Sequence, residues 1–272
     1  MYPLLIPESL IDRSPAHHPG ILLSIVRVKL FTSHLTIGVV KVVYTKAIER
    51  EGLRYFVTGF PGVGTTGYIV VDYLVEKTRA ERIAIIKPKH PPPFVAMAKQ
   101  GLLTPFELFV SSPFLFLRAE FYPSREDERP LCETLVDLFE ELGLEQAVLF
   151  GGLDSAYYQG GARVRLVATR AFLARYQRLP APLLEPGLFV CGTLAVLLYE
   201  FEVRNLPAVS ILPYAALTRP DPRAAAVAIK KMNDLLGTSF DVSELIERAE
   251  EIEAEVEQRR KVFDTAREHF YV

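Results

Sequence analysis

The sequence predicts an α/β fold: a mainly parallel sheet flanked by helices, followed by a C-terminal helix and a tail. Three observations carry that prediction. Short apolar, β-branched runs such as RYFVTGF, QAVLFGG and PAVSILP alternate with stretches of helical periodicity, the pattern of strands joined by crossover helices. Glycine-rich turns and proline breaks punctuate the runs, as in GFPGVGTTG and KPKHPPPF. Core material is ample: half of the 272 residues are hydrophobic, with 17 Phe and 12 Tyr and no Trp.

Along the chain, residues 1–38 differ from the rest and are expected to be an appendage, native or an artefact of the assumed start. Within them SIVRVKLFTSHLTIGVV alternates, and a stray strand pair is its most regular outcome. An α/β domain is expected over 39–240. KVVYTKAI and RYFVTGF read as strands. TTGYIVVDYLVEKT has apolar residues at helical spacing, with Ile69, Val70, Tyr73 and Leu74 on one side. RIAIIK is a short buried strand. VAMAKQGLL and FELFVSSPFLFLRAEF suggest antiparallel strands. RPLCETLVDLFEELGL is an amphipathic helix ended by Gly143. QAVLFGG and VRLVATR follow as strands, and TRAFLARYQ as a helix. GLFVCG, TLAVLLYEFEVR and PAVSILP read as strand, helix and strand. DPRAAAVAIKKMNDLLG carries Pro222 near its first turn and Gly237 just past its end, the asymmetry that helices prefer.

A last helix is expected over 241–263, opened by a capping box of Asp241 and Glu244. Its stripe is narrow: Val242, Ala249, Val256 and Phe263 lie seven apart, with Leu245 and Ile252 in a second row. Such a stripe docks either on the chain's own domain or on a second copy. Glu250, Glu251, Glu253, Glu255 and Glu257 form its solvated face. Residues 264–272 remain as a tail.

Composition excludes several functions. A net charge of −2 provides no field to steer the chain to nucleic acid or to an acidic membrane. No stretch of 18 uncharged apolar residues predicts a transmembrane helix, since ILLSIVRVKLF carries Arg27 and Lys29. The start MYPLLIPESLID lacks the basic region of a signal peptide. Cys132 and Cys191 stand far apart with no CxxC, so neither a disulfide framework nor a zinc site is expected, and a reducing, cytoplasmic setting fits.

The strongest local motif is the glycine turn: Gly59, Pro61, Gly62, Gly64 and Gly67. Gly62, Gly64 and Gly67 have GxGxxG spacing between a strand and a helix, where backbone N–H groups can hold a pyrophosphate. That reading also needs an acid at the end of the next strand, and RIAIIKPKHPPP ends in Lys87 and prolines. No Lys-Ser/Thr follows for a phosphate loop. A tight structural turn is the favoured reading. An α/β enzyme binding a nucleotide or nucleoside there is the alternative. Asp154 and Ser155 follow a strand, where α/β sites often sit, but no histidine is near in sequence. His90 stands beside prolines. His17, His18 and His34 fall in the N-terminal segment and His269 in the tail, none with metal-ligand spacing. Cys191, in LFVCG, is expected to be a core thiol.

The order of GFPGVGTTGYIVVDYL, RIAIIKPKHPPP, LFGGLDS, VRLVATR, FVCGTLAVLLYEFEVRNLPAVSILP and DPRAAAVAIKKMNDLLG resembles the proteasome assembly chaperone family in its archaeal form, over roughly residues 43–258. The resemblance implies a sandwich related in shape to nucleoside phosphorylases and a non-enzymatic protein without cofactor or metal. It also implies a meaning for the last residues. Phe270, Tyr271 and Val272 match the hydrophobic-tyrosine-X tail with which proteasome activators and some archaeal family members dock on the core particle. In that family the tail enters a pocket between α-ring subunits, and its carboxylate pairs with a lysine. The physics is coherent: a carboxylate is captured by convergent donors, and tyrosine is a large, rigid anchor with a polar tip. One short tail binds weakly and several on a homo-oligomer bind together, so a homo-oligomer is expected.

Overall fold

The computed structural model describes residues 35–37, 40–98 and 101–270, with side chains described over 40–98 and 101–258. Twelve strands lie among them: β1 Leu35–Ile37, β2 Val40–Tyr44, β3 Tyr55–Gly59, β4 Glu81–Lys87, β5 Ala96–Ala98, β6 Gly101–Leu103, β7 Phe106–Ser111, β8 Phe114–Ala119, β9 Gln146–Phe150, β10 Leu153–Asp154, β11 Val164–Ala168 and β12 Ala208–Ala215. The helices are α1 Thr66–Lys77, α2 Arg125–Glu141, α3 Arg170–Leu173, α4 Thr193–Val203, α5 Pro222–Leu236 and α6 Ser243–Phe270.

The main sheet runs β1-β2-β4-β7-β8-β3-β9-β12-β10, with β11 also on β12, while β5 and β6 form a separate hairpin. The pairs β8-β3, β3-β9, β9-β12 and β12-β10 are parallel. The first half of the sheet, from β1 to β8, is antiparallel, as is β11 on β12. In the parallel half β9 and β12 are buried at every position, as strands covered on both faces must be. Alternation assigns the faces. Phe56, Ala147 and Leu149 join one core with side chains of α2 and α4. Val57, Val148 and Phe150 join the other with α1, α5 and the start of α6.

The helix ends obey local chemistry. Ser124 accepts the Asp127 N–H, and Glu126, Asp127 and Glu128 face the positive end of the α2 dipole. Asp221 caps α5 through the Ala224 N–H at 2.9 Å. Gly237, at φ 69°, returns its N–H to Asn233 and closes that helix in the left-handed conformation glycine tolerates.

Several expectations change. Leu35–Ile37, inside the expected appendage, is an antiparallel partner of β2 in the main sheet; residues 1–34 and 38–39 lie outside the described residues. The helix expected from TRAFLARYQ shortens to α3 because the chain turns away to seat Tyr176. Its ring stacks on Phe172 at 4.5 Å, and its hydroxyl donates to Gln146. GLFVCG is an exposed loop rather than a strand. Gly187 (φ 95°) and Gly192 (φ 73°) bracket it, β12 already has β9 and β11 on its two edges, and the outer edge of β11 is met by residues 182–184 just before this loop. The capping box at Asp241 and Glu244 is replaced. Asp241 accepts the Ser243 N–H and O–H, and Glu244 pairs with Lys77.

α6 is one helix through Phe270, so the residues expected as a tail from 264 are helical in backbone up to that point; Tyr271 and Val272 lie outside the described residues.

Candidate functional site

The glycine turn sits where β3 leaves the sheet and α1 begins. Gly59 ends β3, and Gly67 is the second residue of α1, so strand and helix cross at two residues without side chains. A β-carbon on Gly59 would stand 2.5 Å from the carbonyl oxygen of Gly67, and one on Gly67 would stand 2.5 Å from that of Phe150. Glycine is required at both because main chain approaches main chain. Gly64 adopts φ 62°, and a β-carbon there would meet those of Ala215 at 2.8 Å and Asp221 at 3.0 Å. Its carbonyl accepts the Asp221 N–H at 2.8 Å. Thr66 is fully buried, and its hydroxyl donates to the Val63 carbonyl at 3.0 Å.

The turn is thus locked against its own chain. Where a pyrophosphate would have to approach Gly64, the start of α5 is in contact instead. The Asp221 carboxylate there accepts N–H groups from Ala216 and Ala224. Such an acid repels an anion rather than holding one. Gly62 is different: at φ −141° any residue fits, and a β-carbon would meet only the movable Tyr122 hydroxyl, at 2.9 Å. Pro61 stands between the buried Phe60 and Gly62.

Beside the turn a cavity of about 490 Å³ opens beyond the carboxyl ends of β3, β9 and β12. Phe60 and Tyr122, stacked at 6.2 Å, and Tyr214 wall it, and Asp154 is its one charged residue. Asp154 accepts the Ala156 N–H at 2.9 Å and so caps the short turn that presents Ser155. Among the described residues the one histidine with a described side chain, His90, is engaged away from Ser155: its N–H donates to the Asp127 carboxylate at 2.6 Å, and its ring faces the same group at 3.4 Å. Cys191 is exposed in the 187–192 loop, correcting its expected burial; the buried cysteine is Cys132, in α2, whose thiol burial holds far above its ordinary range.

Sequence reasoning missed a buried ionic cluster. Glu107 on β7 pairs across the ladder with Arg118 on β8. The Glu107 carboxylate, 1% exposed, accepts from Arg118 and Arg82, each at 2.8 Å, and from the Thr104 N–H and O–H at 3.0 Å. Arg118 also meets Asp72 and Glu120, and burial raises the pKa of both carboxyls. The signal was present as single charges inside the apolar runs FELFV and FLFLRA. With both Glu107 oxygens engaged by arginines and one also by Thr104, the centre of the cluster reads as structural.

The other half of the candidate site is α6. Its first turns dock: Val242, Leu245 and Ala249 are buried, the Tyr73 hydroxyl donates to the Asp241 carbonyl at 2.9 Å, and Arg223 grips Glu253 through two hydrogen bonds of 2.9 Å. Burying Leu245 alone is worth about 1.5–3 kcal/mol. From Ala254 to Gln258 the side chains are exposed, Val256 among them at 46%. The helix then carries the backbone to Phe270, the first residue of the expected docking triplet.

Comparison with known proteins places the chain in context. The PAC2 family model matches residues 56–260. An uncharacterized protein of Methanocaldococcus jannaschii is 21% identical over 233 residues, covering 83% of this chain and 96% of that protein. Pyrococcus furiosus PbaA, described as an archaeal homolog of proteasome-assembly chaperone, superimposes with a TM-score of 0.73 at 21% identity, over 86% of this chain and all of its own. Pyrococcus furiosus PbaB, described as an archaeal proteasome activator, gives 0.69 at 19% identity, over 81% of this chain and 98% of its own. These structures share the α/β fold.

Proposed function

This chain belongs to the PAC2 family, and we propose that it is a non-enzymatic proteasome assembly chaperone or ATP-independent activator that docks on the α-ring of the core particle through Phe270, Tyr271 and Val272. The family match over residues 56–260 carries the reading, and the names of PbaA and PbaB support it. The three terminal residues give it a mechanism. Tyr271 enters a desolvated pocket, the carboxylate of Val272 meets a cation, and Phe270 supplies apolar bulk. α6 suits this role because its docked start fixes the helix to the body while Val256 is already exposed. The chain acts as a cytoplasmic homo-oligomer, so that several weak tails engage one ring together.

The glycine turn Gly59, Pro61, Gly62, Gly64 and Gly67 is assigned a structural role in this reading, because its approach is filled by the chain's own atoms. The proposal takes Val272 as the carboxyl terminus, which the intact mass of the natural protein checks. Binding kinetics on immobilised core particle test the docking. Tyr271→Ala lowers affinity by about 30-fold or more per tail, the value of one aromatic anchor. One residue appended after Val272 lowers it as well, because the carboxylate is displaced from the distance the tyrosine sets. Phe270→Leu binds as the natural chain does. Unchanged affinity in Tyr271→Ala overturns the docking mode.

A further inference from the structure

The cavity of about 490 Å³ beside the glycine turn plays no part in docking by the tail, and it is built like a small-molecule site. It opens beyond the carboxyl ends of β3, β9 and β12, which are adjacent and parallel, and open α/β sheets take up ligands at that end of their strands. Its volume is in the range of such pockets.

The walls are aromatic at two depths. Phe60 and Tyr214 are 3% and 8% exposed and make the floor. Tyr122, Tyr157 and Phe189 are 49%, 64% and 79% exposed and make the lip. Such rings favour a flat apolar body, and their π faces attract a cation. The charge agrees. Asp154 alone among the residues lining the cavity is charged. Its Oδ1 accepts the Ala156 N–H at 2.9 Å, while its Oδ2 has no hydrogen bond, and no cation pairs with the carboxylate, among the described residues. Arg165, whose guanidinium lies 5.4 Å from the centre of the Tyr214 ring, is already matched by Glu185 and does not line the cavity. The opening therefore keeps the sign of Asp154.

We propose that this cavity binds a small aromatic amine as its ammonium ion, the ring held among the five aromatic side chains and the ammonium paired with Asp154. Other chemistries fit worse. An anion meets the Asp154 carboxylate and no lining cation. A wholly apolar molecule strips water from that carboxylate and returns no partner. A metal ion finds one carboxylate where it needs several ligands, and the described residues hold no cluster of metal-ligating side chains. No residue of the terminal triplet is involved, so this site and the tail stand or fall separately.

Cys191 provides the readout. It is exposed and lines the same cavity, whereas Cys132 is buried with its thiol held far above the ordinary range, so iodoacetamide at neutral pH reports on Cys191 alone. Tryptamine is the probe, and the concentration that halves the alkylation rate measures its affinity. We expect protection with a midpoint of about 1 mM or below, the strength open to a ligand of its size. Tryptophol, with a hydroxyl in place of the ammonium, protects at least about tenfold more weakly. Asp154→Asn keeps the oxygen that caps the Ala156 N–H, so the turn stays folded, and it removes the difference between the two probes. Tyr157→Ala, at the exposed lip, weakens tryptamine about threefold to tenfold. Absence of protection up to about 10 mM tryptamine overturns the proposal. Equal protection by the two probes overturns it as well, as does a tenfold difference that survives in Asp154→Asn.

Discussion

α6 is one helix with two environments. From Ser243 to Glu253 it is part of the body: Ala249 is buried, Glu244 pairs with Lys77, and Arg223 holds Glu253. From Ala254 to Gln258 the same heptad continues with exposed side chains. The spacing of Val242, Ala249 and Val256 is constant, so periodicity alone could not say where docking stops. What changes is the neighbour: α5 and the end of α1 lie beside the first turns. A repeat therefore declares that a helix has a sticky edge, while the fold decides how much of that edge is used at home.

The division can be broken or sharpened by substitution. The largest effect belongs to the body beneath α6. Gly67→Ala forces a β-carbon against the Phe150 carbonyl, and backbone cannot yield as a side chain does. We expect a loss of about 3 kcal/mol or more, a fall in Tm of about 10 °C. Gly62→Ala, in the same turn, costs less than about 1 kcal/mol because only the Tyr122 hydroxyl must move. Thermal melts of the two separate an interlocked turn from a merely glycine-rich one.

Next comes the pair that defines the boundary in α6. Ala249→Glu buries an unpaired carboxylate and loosens the proximal turns, costing about 2–3 kcal/mol. Val256→Glu, seven residues on, changes stability by less than about 0.5 kcal/mol. Equal losses in urea unfolding would mean that both halves are docked.

Alkaline pH acts on the body alone. Burial pushes Tyr44 up to about 12 and raises Tyr68, Tyr73, Tyr122 and Tyr176 above the ordinary 10.0. Above pH 10 the unfolded chain releases these protons first. The stability they give is fully present below pH 10 and is lost as pH climbs through the folded values. The urea midpoint therefore falls between pH 9 and pH 11, and a flat profile would contradict the burial of these rings. Glu253→Ala has a small effect. Its half-exposed pair with Arg223 is worth at most about 1 kcal/mol, and added salt shrinks the difference from the natural chain.

Much of the fold was legible because local chemistry and global role agreed. Pro222 and Gly237 bounded α5, and Gly59 with Gly67 marked a strand meeting a helix. The failures share a cause in tertiary context. LFVCG has strand composition, yet β12 has no free edge for it, so Phe189 and Cys191 are exposed. Glu107 and Arg118 looked like ordinary charges until the β7-β8 register set them opposite each other. Of the site residues, the glycine turn was legible in position, and its need for glycine holds at Gly59, Gly64 and Gly67 but not at Gly62. Phe270, Tyr271 and Val272 came from the end of the sequence and a family resemblance, and the pocket proposed for them belongs to another molecule.

The central claim is that the end of α6 binds while its beginning holds. It is tested most directly by a chain ending at His269, assayed on immobilised core particle beside its own thermal melt. The account predicts that binding is abolished and that Tm stays within about 1 °C of the natural chain, because the removed residues lie beyond the docked turns. Undiminished binding, or a chain that unfolds, would contradict it.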